Sequence, residues 1–213
     1  MKLEIERLAY DGKVVLERIN QKVEYGDFIN LIGQNGSGKS SLFKALLGIT
    51  RFKGKVDFPS SEIAVVSDYA RVPNELQVGD VVDFVRKSNG KQIDELVPLL
   101  KLDRISNQKV RKLSSGEKRR VEIFVALASG KKIIIYDEIT NALDAGIKQE
   151  LLEFIKKYHS QNNRLAFFTT HDLAEVFYLG GKYWFINPCT KTIEDISGES
   201  QDSIMKKYMF GGK

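Results

Sequence analysis

The stretch that most limits what this chain can fold into is Gly33-Gln34-Asn35-Gly36-Ser37-Gly38-Lys39-Ser40. Successive backbone N–H groups turn inward on an anion only where no Cβ obstructs them, and Gly33, Gly36 and Gly38 remove three obstructions. Lys39 reaches the terminal phosphates of such an anion, and Ser40 offers a hydroxyl to a magnesium ion that takes its other ligands from water and phosphate. The flanks agree with this reading. Phe28-Ile29-Asn30-Leu31-Ile32 reads as a buried strand entering the loop, and residues 40–47 read as a helix leaving it, with Leu42, Phe43, Leu46 and Leu47 on one face. Gly48 supplies the stop signal, so the helix N-terminus and its positive dipole end face the loop.

At 213 residues the chain holds one substantial core, or one core with a small inserted subdomain. No apolar run reaches bilayer-crossing length, and 133–136 and 165–168 are short enough for buried strands. Residues 1–4 open directly into alternating sequence with no cleavable leader pattern, and the single cysteine, Cys189, excludes an internal disulfide; a reducing cytosol is expected. The net charge of +5 raises the question of nucleic acid, because Lys109, Arg111, Lys112, Lys118, Arg119, Arg120, Lys131 and Lys132 cluster in sequence. No recognisable DNA- or RNA-binding module accompanies them, and such runs beside Asp and Glu are more often solvated faces, so no direct nucleic-acid partner is expected. A basic balance suits a polyanionic nucleotide or an anionic membrane surface equally well.

Taken in order, residues 2–27 predict strand, turn and strand, with Asp11-Gly12 at the turn, as an antiparallel layer ahead of the phosphate loop. Tyr10 stands at that turn, placed either to stack on a purine ring or simply to cap the hairpin. Short strands are expected at 54–58 and 63–66. From 72 to 130 helical periodicity takes over, with helices over 78–87, 94–100 and 117–127, which predicts a helical subdomain inserted into an α/β core formed by 1–71 and 131–213. Residues 131–138 read as a fully buried parallel strand that delivers Asp137 and Glu138 at its carboxyl end, where open α/β sheets bind ligands. There Asp137 can hold magnesium and Glu138 can deprotonate a water attacking a γ-phosphate; adjacent Asp and Glu after a strand also serve as a helix N-cap. A helix over 145–159 precedes a strand over 164–170 that ends at His171, which reaches the same edge and can donate to phosphate oxygens. His159 lies on the helix with no partner evident in the sequence. Two further strands, 183–186 and 192–196, and a basic helix around 202–208 close the chain.

Together these residues resemble the nucleotide-binding domain of the ATP-binding cassette (ABC) family over nearly the whole chain. The diagnostic piece is Leu113-Ser114-Ser115-Gly116-Glu117, which resembles that family's signature loop and lies between the phosphate loop and the Asp137 strand. The resemblance implies a P-loop NTPase fold: a RecA-like mixed sheet with an N-terminal antiparallel β layer and an inserted helical subdomain. It implies ATP and magnesium as ligands, with Tyr10 stacking on adenine and Gly33, Gln34, Asn35, Gly36, Ser37, Gly38, Lys39, Ser40 and Ser41 around the nucleotide. Lys39, Glu138 and His171 become the catalytic set, Glu138 as the carboxylate and His171 as the switch histidine, with Ser40 and Asp137 on the metal. Asn141-Ala142-Leu143-Asp144 resembles the loop that crosses the dimer interface. Ser114 and the N–H of Gly116 are then expected on the γ-phosphate of a second subunit, in a head-to-tail homodimer or pseudo-symmetric pair sandwiching two ATP molecules.

Three positions depart from the family pattern. Asp68 replaces a glutamine that contacts magnesium and couples the helical subdomain to the partner, and its register implies a metal-side role; Ser115 replaces a glycine and Glu117 a glutamine, changes expected to weaken dimer closure. The function implied is an ATPase subunit at the cytoplasmic face of the membrane, driving a separate integral membrane transporter subunit that docks along 67–76 and the helices up to residue 90. The alternative is a soluble ABC-type ATPase acting as an assembly or mechanochemical factor, and a third reading is a nucleotide-switched dimer without turnover.

Overall fold

The computed structural model describes residues 1–67, 72–89 and 94–211. Two sheets organise it. Strands β1 (Lys2–Tyr10), β2 (Lys13–Lys22) and β4 (Lys53–Val56) form an antiparallel layer in the order β2-β1-β4. Strands β3 (Phe28–Ile32), β5 (Ile63–Val66), β6 (Ile133–Asp137), β7 (Leu165–Thr169), β8 (Lys182–Ile186) and β9 (Ile193–Asp195) form the main sheet in the order β5-β6-β7-β3-β8-β9. Every pairing in that sheet is parallel except β8 with β9.

Helices cover the main sheet, so its central strands are buried on both faces and carry continuous apolar runs. Every residue of β6 and β7 is buried. The alternation of a strand assigns them to two cores. Ile134, Tyr136, Ala166 and Phe168 pack with the helices α2 (Val78–Asn89), α4 (Ser115–Ala128) and α5 (Ala145–Gln161). Ile133, Ile135, Leu165 and Phe167 pack on the opposite side with α1 (Lys39–Leu46) and the antiparallel layer. The remaining helices are α3 (Leu96–Leu99), α6 (Leu173–Leu179) and α7 (Gln201–Phe210). No described helix is long and apolar enough to cross a membrane.

The differences from the sequence expectations have local causes. The helix expected over 94–100 shrinks to the single turn of α3, where Pro98 supplies no N–H. The strand expected to reach residue 138 stops at Asp137, because Glu138 turns out of it at φ 53°. Helices α2, α4, α5 and α7 each run one or two residues beyond an expected end. His159 does have a partner: its Nε2 lies 3.0 Å from the Tyr136 hydroxyl, and its ring meets Phe28 edge-on.

Candidate nucleotide site

The parallel order β6-β7-β3 brings three carboxyl ends to one edge, so the segments following these strands share it. After β3 comes the phosphate loop. Gly36 and Gly38 adopt φ of 77° and 113°, which a Cβ would strain. A Cβ on Gly33 would sit 2.6 Å from Ser37 Oγ. That Oγ is buried without a hydrogen-bond partner, a donor left over inside the cradle. Lys39 is 5% exposed and folds back, donating to the carbonyls of Gly33 at 2.7 Å and Gln34 at 3.2 Å. Burial holds its pKa below the usual lysine range, against the charges of Glu138 and Asp137. Gln34, Asn35, Gly36 and Ser40 are exposed.

Asp137, at the end of β6, is buried, and that burial raises its pKa; hydrogen bonds from Thr169 and Ser40 and the charge of Lys39 oppose the shift, while the neighbouring Glu138 adds to it. Thr169 ends the neighbouring strand opposite Asp137, donates to Asp137 Oδ1 at 2.7 Å and accepts from the Glu138 N–H at 3.1 Å. Both carboxylate oxygens of Glu138 are held. His171 Nε2 lies 2.8 Å from Oε1, and Asn141 Nδ2 donates to Oε2 at 2.9 Å. A half-buried carboxylate oriented in this way, beside a buried lysine and a phosphate cradle, can accept a proton from a water directed at a bound phosphate.

The signature stretch packs against the 138–144 turn instead of the phosphate loop. A Cβ on Gly116 would lie 2.6 Å from the Ala142 carbonyl oxygen. Leu113 is buried, whereas Ser114 and Ser115 are exposed at the start of α4. Ser114 and Glu117 form a reciprocal capping box: Ser114 N donates to Glu117 Oε2 at 2.8 Å, and Glu117 N donates to Ser114 Oγ at 3.3 Å. Those hydrogen bonds hold the Glu117 carboxyl below its usual pKa. Asn141, Ala142 and Asp144 are exposed, Leu143 is half-buried, and Asp144 caps α5 by accepting from Ile147 N at 3.1 Å.

The family model described as ABC transporter matches residues 16–141. The chain belongs to the ABC transporter family. Among curated ABC relatives, a Bacillus subtilis (strain 168) protein named "Probable peptide export ATP-binding protein" is 30% identical, over 84% of this chain and 87% of its own. A spermidine/putrescine import ATP-binding protein of Borreliella afzelii (strain PKo) is 29% identical, over 97% of this chain and 71% of its own. A solved ATP-binding subunit of an ABC transporter superposes with a TM-score of 0.81 at 19% identity, covering 98% of both chains, and so shares the fold.

The structure therefore gathers Lys39, Ser40, Asp137, Glu138 and His171 at one edge, as their place after parallel strands requires. Tyr10 stays apart from that hydrogen-bonded group. It is 37% exposed and its hydroxyl lies 3.0 Å from Thr50 Oγ1. The hairpin itself reaches the loop through Val15 and Leu16, which lie against Gly38. Asp68 falls outside the described residues. Sequence reasoning overlooked Thr169, which bridges Asp137 and Glu138, and the use of Asn141 on Glu138; the register of β6 against β7 places the first, and no local pattern announces it. It also overlooked the capping box, although Ser114-x-x-Glu117 is its sequence signature.

Proposed function

We propose that this ABC protein is the ATP-hydrolysing subunit of a transporter whose membrane-spanning part is a separate polypeptide, and that it works at the cytoplasmic face of the membrane. The observation that carries the reading is Glu138, held at both oxygens by His171 and Asn141 beside the buried Lys39 and Asp137. In this reading the loop N–H groups and Lys39 grip the β- and γ-phosphates, Glu138 takes the proton of the attacking water, and His171 steadies Glu138 and donates to a phosphate oxygen. Tyr10 borders the adenine from the end of the hairpin.

The donor set fits magnesium. No described cluster of three or more His, Cys, Asp or Glu could hold a metal by itself, so the protein contributes Ser40 and Asp137 and leaves the other positions to phosphate and water, the usual arrangement for this ion. When bound, the ion neutralises charge on the phosphate oxygens.

The exposed Ser114 and the N-terminus of α4 support a head-to-tail pair in which this signature loop meets the γ-phosphate of a second subunit and residues 142–144 cross the interface. The helical segment 72–130 acts as a subdomain over the α/β core. Between β5, α2 and α4 it leaves an apolar groove of about 690 Å³, lined by Val72, Leu76, Val81, Phe84 and Val125, with the Phe84 ring 72% exposed. That groove suits a helix of the membrane subunit. The named relatives are ATP-binding proteins of export and import systems, which supports a transport role. Co-purification from detergent extracts tests it: a polytopic membrane protein should accompany the chain and accelerate its phosphate release. A chain that comes out of such extracts with no membrane protein bound, its phosphate release unaffected by membrane fractions, would favour the soluble-factor alternative.

A further inference from the structure

Beneath the Glu138 turn lies a buried carboxylate that none of these roles uses. Glu175, in the first turn of α6, is 3% exposed. It accepts from the Thr140 hydroxyl at 2.9 Å and pairs closely with Lys148 Nζ. Lys148 also reaches Asp172 Oδ2 at 3.1 Å, and these carboxylates hold its ammonium above the usual lysine range, Glu175 first. Removing an ion from water costs several kcal/mol, and an apolar side chain would fill such a place without that cost. What the carboxylate adds is direction.

Each tie ends beside the catalytic pair. Thr140, itself 3% exposed, lies two residues after Glu138, in a turn closed by the bonds from Asn141 N to Glu138 O and from Leu143 N to Thr140 O. Lys148 sits in the first turn of α5, whose cap Asp144 ends that segment. Asp172 follows His171 directly and caps α6. The segment so held contains Glu138 at φ 53°, a backbone conformation that a non-glycine residue keeps only when its surroundings fix it.

We propose that Glu175, together with Lys148, is a positioning residue for ATP hydrolysis: through Thr140 it fixes the turn that carries Glu138, and through Asp172 it fixes the start of the helix that follows His171. The proposal rests on Glu138 being the general base. Misplacing a reacting group by 1 Å can cost about 100-fold in rate.

Single-turnover hydrolysis by the full chain, with ATP affinity measured in parallel, tests it. Thr140→Val keeps the shape of the side chain but loses the hydroxyl. It should hydrolyse about 10- to 100-fold more slowly while ATP affinity stays within about twofold. Thr140→Ser should restore most of the rate, and Glu175→Gln should resemble Thr140→Val. A wild-type rate in folded Thr140→Val, or an affinity loss as large as the rate loss, overturns the proposal. Glu138→Gln is the control. If it is inactive while Thr140→Val is normal, positioning alone is wrong; if Glu138→Gln hydrolyses normally, the assignment of the base fails and the proposal fails with it.

Discussion

Lys39 closes the phosphate loop on itself, its ammonium donating to the carbonyls of Gly33 and Gln34, and in the proposed site phosphate oxygens would replace those acceptors. Charge-assisted hydrogen bonds contribute about 1.5–3 kcal/mol each, so Lys39→Ala should weaken ATP binding by about 10- to 100-fold, read by titration with a fluorescent analogue. This residue was legible from its spacing to three glycines. His159 was not, because its partner Tyr136 belongs to a strand that only the packed fold brings near. Burial, aided by the charge of Arg164, lowers its pKa to about 4. The unfolded chain therefore binds a proton near pH 6.5 that the folded chain refuses until about pH 4. Stability from this group is complete above about pH 6.5 and falls as the pH drops, by about 2 kcal/mol at pH 5 and about 3 kcal/mol once both forms are protonated. Urea unfolding at pH 7 and pH 5 should show that loss, and His159→Phe should remove this part of the pH dependence; an unchanged dependence would contradict a buried neutral imidazole.

Among the elements, α4 carries the sharpest consequence. Its N-terminus is already occupied by an anion of its own chain, since Glu117 accepts from both the backbone and the hydroxyl of Ser114. In the proposed head-to-tail pair a γ-phosphate from a second subunit would share that N-terminus with a carboxylate held below its usual pKa, and like charges there oppose each other. Glu117→Gln should therefore strengthen ATP-dependent dimerisation about 3- to 10-fold, measured by light scattering at graded protein concentration, even though the cap loses its ionic acceptor. Unchanged dimerisation would contradict this charge opposition, and weaker dimerisation would show that the ionic cap helps closure instead. The sequence announced Glu117 as a departure and hid its local purpose. Element identity followed well from periodicity and from loop residues such as Gly33 and Gly48, except for the two-turn α6, which is too short to show a period and was not expected. Ends followed less well, because α3 is trimmed around Pro98 and β6 is cut short by the turn at Glu138, both decided by backbone detail.

Across the whole molecule, the strand order β5-β6-β7-β3-β8-β9 aligns the ends that carry Lys39, Asp137 with Glu138, and His171, while the apolar groove beside α2 opens elsewhere. The alignment was readable in outline, since each segment follows a buried parallel strand; the bridge through Thr169 depends on register between strands about thirty residues apart and was not. Separation of the two surfaces predicts separable defects. Phe84→Asp should leave phosphate release by the isolated chain unchanged and abolish co-purification with a membrane subunit; a coincident loss of basal hydrolysis would contradict that separation. The convergence itself is tested most directly by single-turnover hydrolysis of saturating magnesium-ATP by Glu138→Gln. The rate should fall by about 10²- to 10⁴-fold with ATP affinity intact, whereas hydrolysis at the wild-type rate would contradict the placing of the general base at the end of β6.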